Sequence, residues 1–212
     1  MSQAMTADRT DQVRRGLRLE YFTLGYNVVE AAVALASGAV ASSIALIGFG
    51  VDAVIESLSG LTMLWRLNHD SHPKRDLIER RAQKVIAFSF WALAAYVGYE
   101  AVETLWTRDA PERSWPGIAL AALSILIMPL LARAKRRVGL GIGSAAMVAD
   151  SKQTQLCAYL SAILLGGLGL NALFGWWWAD PAAGLVMLPI IWREGLSAWR
   201  GEGCGCSGGV CH

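Results

Sequence analysis

The stretch Ser43–Trp65, SIALIGFGVDAVIESLSGLTMLW, decides the fold class of this chain. It is apolar over about the 20 residues that a helix needs to cross the roughly 30 Å hydrocarbon core of a bilayer. Two carboxylates, Asp52 and Glu56, nevertheless lie near its middle. An ionisable side chain at that depth costs about 2.5–3.5 kcal/mol on insertion scales and usually faces the interior of a bundle. The stretch therefore predicts one helix of a polytopic membrane protein.

The composition of the whole chain supports the same fold class. Of its 212 residues, 54% are hydrophobic and only 17% are charged, and the mean hydropathy is +0.39. An ordinary soluble domain has about 45–50% apolar and about 25% charged residues. The apolar excess excludes a typical cytosolic enzyme, a disordered chain and a nucleic-acid-binding module.

Six stretches are long and apolar enough to cross a membrane, and only short connections separate them. We therefore predict an all-α membrane protein, a six-helix transmembrane bundle over residues 19–200. A polar N-terminal segment, residues 1–18, precedes the bundle, and a Cys/His tail, residues 201–212, follows it. No A-x-A-like cleavage site follows the first span, so we expect this span to be retained. The predicted spans are Leu19–Val40, Ser43–Trp65, Val85–Trp106, Gly117–Ala132, Ala145–Leu170 and Trp178–Ala198.

The distribution of Lys and Arg predicts the orientation of the bundle. Nearly all of the 19 basic residues lie in the N-terminal segment, in every second loop or near the C-terminus. Only Arg108 and Arg113 lie on the other side, and Lys152 falls inside a span. Both termini are therefore expected in the cytoplasm. A short chain without a cleavable signal also fits a bacterial inner membrane.

Asp52 and Glu56 are four residues apart, so they lie on one helix face, one above the other. At 1.5 Å per residue, Asp52 is roughly 14 Å from the start of its span and close to the bilayer midplane. Two carboxylates stacked there need a proton or a cation to neutralise them. Carboxylate oxygens ligate zinc at about 2.0–2.2 Å, which makes the pair a candidate site for a divalent cation. The alternative is a protonated, hydrogen-bonded pair that only fixes helix packing.

A second polar stripe is predicted on the fifth span. Its members follow the i, i+3, i+4, i+7 spacing of one helix face and are Asp150, Gln153, Thr154 and Cys157. Lys152 points elsewhere and can reach the cytoplasmic interface. If the stripe meets the carboxylate pair of the second span, a thiolate with carboxylates forms a plausible zinc-ligand set. The alternatives are a buried small apolar side chain for Cys157 and inter-helix hydrogen bonds for Gln153 and Thr154.

Other acidic residues lie inside or beside the predicted spans. Glu30, with Asn27, forms a polar patch in the first span and could carry a proton, act as an outer ligand or make an inter-helix hydrogen bond. Glu100 and Glu103 lie near the outer end of the third span. Asp180 precedes a proline at the start of the sixth span, which favours a helix N-cap.

The C-terminal tail is glycine-rich and carries three cysteines and one histidine. Its predicted cytoplasmic location implies reduced thiols. Such a segment could bind zinc, copper(I) or another soft ion and deliver it to the pore, although the spacing matches no folded zinc finger. The alternative is an inert tail. The candidate ligands are Cys204, Cys206, Cys211 and His212.

The order of these motifs resembles the cation diffusion facilitator family. Ser43–Gly60 resembles the family's signature in span 2, Ala146–Cys157 resembles the start of its span 5, and Asp180-Pro181 resembles the start of its span 6. The resemblance extends over approximately residues 17–200. It implies six spans with both termini inside the cell and a metal site formed by paired residues on spans 2 and 5. It implies no prosthetic group, because the divalent metal is the cargo.

Three departures from the family pattern bear on the site. Gln153 and Cys157 stand where the family has His or Asp followed four residues later by Asp, which leaves a softer and less charged site. Glu56 stands where the family usually has Asp. The cytoplasmic metal-binding domain that follows span 6 in the family is missing from this sequence. The chain therefore resembles the short, transmembrane-only branch, which is similar to a vertebrate vesicular zinc-efflux protein.

The midplane carboxylates and the resemblance together predict a divalent metal cation transporter, with zinc as the first choice. Asp52 and Glu56 would bind the ion together with Asp150 or Cys157, and Gln153 is a further candidate ligand. Metal binding would release protons from these groups, so proton exchange could drive export. The alternative function is a non-transporting membrane metal sensor or accessory protein that uses the Cys/His tail.

The sequence also predicts which partners and activities to expect. An enzyme is not expected, because the chain has no H-E-x-x-H, no G-x-S-x-G and no Ser/His pair. The expected partners are the lipid bilayer and divalent metal ions, with no nucleic acid. The resemblance implies a homodimer, and small residues such as Gly48 and Gly50 would allow close helix approach.

Overall fold

A computed structural model of the chain describes residues 2–41, 44–70, 74–108, 115–174, 176 and 178–201. Within these ranges the chain forms six α-helices and no strand. This confirms the all-α membrane bundle that the apolar stretches predict. The helices are α1 Ser2–Ala41, α2 Ile44–Asn68, α3 Arg75–Thr107, α4 Trp115–Gly141, α5 Ala145–Phe174 and α6 Ala179–Arg200.

The surface of the bundle is suited to lipid. Helices α1 to α4 are each long and apolar enough to cross a membrane. Large apolar side chains such as Phe22, Leu126 and Val186 point outwards and are more than half exposed. A water-soluble protein rarely displays so much contiguous apolar surface, whereas the hydrocarbon core of a bilayer solvates it.

The first helix extends well beyond the predicted span Leu19–Val40, because residues 2–18 continue the same helix. Tertiary contacts hold this extension in place. Arg9 donates hydrogen bonds to both carboxylate oxygens of Asp70, at 2.8 and 2.9 Å, and to the carbonyl of Ile142 at 2.9 Å. The polar start of the chain is therefore packed against the ends of α2 and α4.

Helices α2 and α5 lie at the centre of the bundle. The closest pairings are α1 with α2, α4 with α5 and α3 with α6, and α2 also packs against both α3 and α5. One apolar cluster contains Phe90, Met147 and Ile191, and a second contains Phe49 and Met128. Both clusters include residues of α2 and α5, so the polar faces of these two helices are enclosed between them.

The end of the bundle where α2 ends and α3 begins, here called the basic end, is closed by ion pairs. Arg66 is only 2% exposed and donates to the carboxylates of Glu79 and Asp70. Glu79 also accepts hydrogen bonds from the Ser144 hydroxyl and the Ala146 backbone N–H. These contacts cap the start of α5, since the first N–H groups of a helix have no partner within it. The other end of the bundle is called the opposite end.

The structure revises two expectations about local structure, one on the start of α6 and one on the role of two glycines in α2. Helix α6 begins at Ala179 with Trp178 at the N-cap, so the N-cap role predicted for Asp180 is wrong. Pro181 is accommodated in the first turn, where its missing N–H has no partner to lose. Gly48 and Gly50 lie against side chains of their own chain, on α3 and α1 respectively. Their small size therefore serves packing within one protomer.

Candidate metal centre

The polar face of α2 runs through the middle of the bundle. We define it by Gly48, Asp52, Glu56 and Ser59, which follow helical spacing and extend over about 16 Å of the helix axis at 1.5 Å per residue. Asp52 is 3% exposed and Glu56 is 1% exposed. Both carboxylates therefore lie inside the protein, as the stacked pair in the sequence predicts.

The α2 pair, Asp52 and Glu56, has three carboxylate oxygens without a hydrogen-bond partner among the described residues. Oδ2 of Asp52 and both carboxylate oxygens of Glu56 are buried without a hydrogen-bond partner. The Thr154 hydroxyl and the Cys157 thiol lie beside Glu56, but they leave its oxygens without a hydrogen bond of good geometry. Burying an unpaired charge is costly, so these oxygens require a proton or a cation. The donor set therefore fits a divalent metal ion.

Cys157 joins the α2 pair from helix α5. Its side chain is 1% exposed, and the carboxylates of Asp52, Glu30 and Glu56 are the charged neighbours of its thiol. Gln153 lies one turn away on α5, is 1% exposed, and has no hydrogen-bond partner for either side-chain atom. The structure thus brings the softer half of the predicted α5 stripe to the α2 carboxylates.

Glu30 completes the acidic cluster from helix α1. Its side chain is fully buried, and its Oε1 accepts a hydrogen bond from the Ser124 hydroxyl on α4. The Tyr26 hydroxyl lies 2.9 Å from the same Ser124 oxygen, and Oε2 of Glu30 has no partner. Glu30 therefore makes the inter-helix hydrogen bond that was one of its alternatives, and Asp52 and Glu56 are its charged neighbours.

Asp150 belongs to a group of charges, here called the Lys135 cluster, that adjoins the α2 pair, since Lys135 and Asp150 are both charged neighbours of Glu56. Lys135 Nζ lies 2.7 Å from Asp150 Oδ2 and 2.9 Å from Glu20 Oε2, and none of the three side chains is exposed. Ser59 donates a 2.5 Å hydrogen bond to the other Asp150 oxygen, and Thr154 lies 3.3 Å from Lys135 Nζ. Asp150 is thus held by α2 and α4 towards the basic end, about two helical turns from Cys157.

Sequence reasoning missed Lys135 and Glu20. The charge pattern assigned Lys135 to a basic cytoplasmic segment, whereas α4 continues to Gly141 and buries this side chain completely. A signal for this was present in the sequence, because Lys135 continues the i, i+3/i+4 spacing of the buried face of α4. That face consists of Gly117, Ala121, Ser124, Met128, Leu131, Lys135 and Val138.

A cavity lies between Asp52 and the opposite end of the bundle. Helices α2, α3, α5 and α6 line it, and Thr104 and Pro181 mark its outer part. Asp52 lies at its inner end, together with Leu93. In the described part of the chain, no three His, Cys, Asp or Glu side chains already enclose a common ion position. Binding of an ion by three of these groups would therefore require side-chain movement.

Two predicted features remain, the C-terminal tail and Lys152. The tail residues Cys204, Cys206, Cys211 and His212 lie outside the described residues, so the tail site stays a prediction. Lys152 lies on the other face of α5, as expected, and pairs with Glu194 of α6 at 2.5 Å. It therefore takes no part in the acidic cluster.

Long apolar helices with a lipid-facing surface and buried carboxylates define a helical membrane protein with an acidic interior. The family model of the cation efflux transmembrane domain matches residues 21–200, and the chain belongs to this family. The resemblance to the cation diffusion facilitators is thereby confirmed.

One relative is an uncharacterized transporter of Methanocaldococcus jannaschii, which is 26% identical over 172 residues. The match covers 78% of this chain and 60% of the relative, so the chain spans less than two thirds of the relative's length.

Proposed function

We propose that this protein transports a divalent metal cation, zinc in the first place, and that Asp52, Glu56 and Cys157 bind the ion during transport. The observation that carries the proposal is the α2 pair itself. Two buried carboxylates with oxygens that have no hydrogen-bond partner lie beside a buried thiol in a chain of the cation efflux family. This membership favours a transporter over an intramembrane enzyme and over a metal sensor.

The ligand from α5 is Cys157 rather than Asp150. Asp150 is held by the ammonium of Lys135 and the hydroxyl of Ser59, and a metal ion would have to break both contacts. Cys157 already adjoins Asp52 and Glu56. A thiolate, two carboxylates and the amide oxygen of Gln153 make a four-coordinate set that zinc accepts and that also suits softer divalent ions.

Proton exchange follows from the chemistry of these ligands. A carboxylic acid or thiol must lose its proton to bind the metal, so loading releases protons and unloading takes them up. Glu30 lies beside the site with one oxygen that has no hydrogen-bond partner, and it is placed to accept such a proton. Inward proton movement would then drive outward metal movement.

The direction of transport follows from the two ends of the bundle. The basic end carries most of the Lys and Arg residues and faces the cytoplasm by the positive-inside rule. The Lys135 cluster and the Arg66–Glu79 pair lie between that end and the site, whereas the cavity lies between Asp52 and the opposite end. This arrangement supports release of the exported ion towards the opposite end. A bacterial inner membrane and a homodimeric assembly belong to the same proposal.

Reconstituted liposomes that contain a zinc-sensitive dye test the proposal. We expect zinc flux from the unaltered chain and a loss of at least about tenfold, or about 1.4 kcal/mol, in Asp52→Asn. Asn keeps the size of the side chain and removes its charge. The matched control is Glu194→Gln, which removes a carboxylate that lies away from the site. Equal flux in all three proteins would refute the assignment of the transport site.

Deletion of residues 203–212 separates transport from the sensor alternative. A transporter that uses the tail only to capture ions keeps its maximal rate and requires more zinc to reach it. A sensor that depends on the tail loses all response to zinc while the Asp52 site is intact.

A further inference from the structure

The cavity that reaches Asp52 has two polar groups on its α3 wall that the proposed transport site does not use, Tyr96 and Glu100. They are four residues apart and so lie on one face of α3. The Tyr96 hydroxyl lies beside the Glu100 carboxylate. Because α3 runs towards the opposite end, this pair lies between Asp52 and the outer part of the cavity.

Gly48 allows α2 to approach this pair closely. A Cβ atom at position 48 would overlap the Tyr96 hydroxyl and both carboxylate oxygens of Glu100. Since glycine has no side chain, the two polar groups lie directly against the backbone of α2, one helical turn from Asp52. Glycine at position 48 therefore allows the Glu100 carboxylate to lie against α2, next to the proposed transport site.

Asp52 provides independent evidence that the cavity accommodates a ligand. It lines the same cavity, is 3% exposed, and its Oδ2 has no hydrogen-bond partner. It is also a charged neighbour of Tyr96. The cavity therefore has the Glu100 carboxylate in its outer part, the Asp52 carboxylate at its inner end and the Tyr96 phenol between them. Oδ2 of Asp52 lacks a hydrogen-bond partner among the described residues. Oxygen ligands of this kind suit a divalent cation.

We propose that Glu100 and Tyr96 form an outer cation site, which a divalent cation occupies after it leaves Asp52 and before it is released. This inference rests on the proposed function and extends the path of the same ion. Few protein ligands face the cavity at this level, so water completes the coordination and the ion is held more weakly than in a closed four-ligand site. Weak binding suits a release step, because an ion must also be able to leave.

Glu103 offers a matched control for Glu100. It lies on the same helix less than one turn away, yet it is not part of the cavity wall. Its neighbour is Tyr99, whose side chain is 65% exposed on the outer surface of the bundle. Glu103 is a weaker charged neighbour of Tyr96 than Glu100 is, so Glu103→Gln removes the same charge at nearly the same depth and leaves the residues of the cavity wall unchanged.

Equilibrium dialysis with zinc alone tests the outer cation site directly. The protein is the full chain in which the three tail cysteines are serine and the tail histidine is asparagine. We expect two classes of bound zinc, and we expect Glu100→Gln to weaken the lower-affinity class by about tenfold, which corresponds to about 1.4 kcal/mol. Glu103→Gln should bind zinc as the parent does. Identical titrations for both variants and the parent would overturn the inference.

Flux measurements in liposomes supply a kinetic readout that a merely structural role would not produce. Glu100→Gln should lower the maximal rate of zinc release while the KM on the loading side stays within about twofold, because ground-state binding at the main site is unchanged. A raised loading-side KM with an unchanged maximal rate would contradict the outer site. Tyr96→Phe, which removes one hydroxyl only, should have the same effect to a smaller extent and guards against misfolding of the first variant.

The two proposals fail in different ways. If the parent protein carries no zinc, the proposed function fails, and the dialysis experiment still decides whether Glu100 binds a cation. If the parent carries zinc and Glu100→Gln behaves as Glu103→Gln does in both experiments, only the outer cation site fails.

Discussion

Lys135 Nζ lies 2.7 Å from Asp150 Oδ2, and neither side chain has any exposed surface. This ion pair joins α4 to α5 in the interior of the bundle, and Glu20 extends it to α1. The ion pair engages the carboxylate of Asp150, which is one of the two candidate metal ligands that the sequence predicts on α5. The pair therefore leaves Cys157 as the α5 group that faces Asp52 and Glu56.

Lys135→Met should destabilise the protein by about 3–5 kcal/mol, because it leaves two buried carboxylates without their counter-charge. The measurement is unfolding of the purified protein in mixed detergent micelles, followed by circular dichroism. The matched control is the triple variant Glu20→Gln/Lys135→Met/Asp150→Asn, which removes all three charges and should recover most of the loss. If the single and triple variants are equally unstable, the ion pairs are not the cause of the effect.

Cys157→Ser should change which metals the protein prefers. Replacing a thiolate with a hydroxyl removes the soft ligand, so cadmium flux should fall most, zinc flux less, and manganese flux least. The measurement is the ratio of initial rates for the three ions in liposomes. Ser161→Ala serves as the control, since Ser161 lies one turn further on α5 and only bonds the Cys157 carbonyl. An equal loss for all three ions would show that Cys157 does not contact the metal.

Asp70, which lies outside the membrane-spanning segments, should make stability depend on pH. Burial acts to raise the pKa of Asp70, but the hydrogen bond from Arg9 and the charges of Arg66 and Arg9 outweigh it and hold the pKa below its usual 3.8. Because the folded pKa is lowered, this stabilisation is present above the unfolded-state pKa of about 3.9 and is lost as the pH falls through the folded value.

The measurement is the difference in melting temperature between the unaltered chain and Asp70→Asn across a pH series. The difference should be constant above about pH 5 and should shrink below about pH 4, where the unaltered chain loses its advantage. Asp11→Asn controls for a general effect of charge on α1. A difference that grows towards low pH would contradict the lowered pKa.

The sequence predicts the architecture well because the cost of burying polar groups in lipid is large and local. Four of the described helices are long and apolar enough to cross the bilayer, and α2 coincides with its predicted span to within a few residues. The same cost identifies Asp52 and Glu56, since carboxylates persist in such a run only where the interior of the bundle accommodates them. Their burial in the structure agrees with that reasoning.

The sequence predicts faces of helices, but not the partners that these faces meet. Asp150 and Cys157 lie on one stripe of α5, yet α4 brings Lys135 to Asp150 and α2 brings Asp52 to Cys157. The charge pattern classifies Lys135 by its place among neighbouring basic residues, and only the packing of α4 shows that it is buried. The extension of α1 through residues 2–18 likewise depends on a distant contact of Arg9.

The sequence by itself determined that this chain is a bundle of membrane-spanning helices with carboxylates inside, because hydropathy and helical periodicity are properties of each segment alone. Only the tertiary structure decided which acidic groups have partners. Asp150 is neutralised by Lys135, whereas Asp52 and Glu56 retain oxygens without a partner. The physical reason is that the electrostatic environment of a buried charge depends on the helices packed around it, and these contacts join residues far apart in the chain.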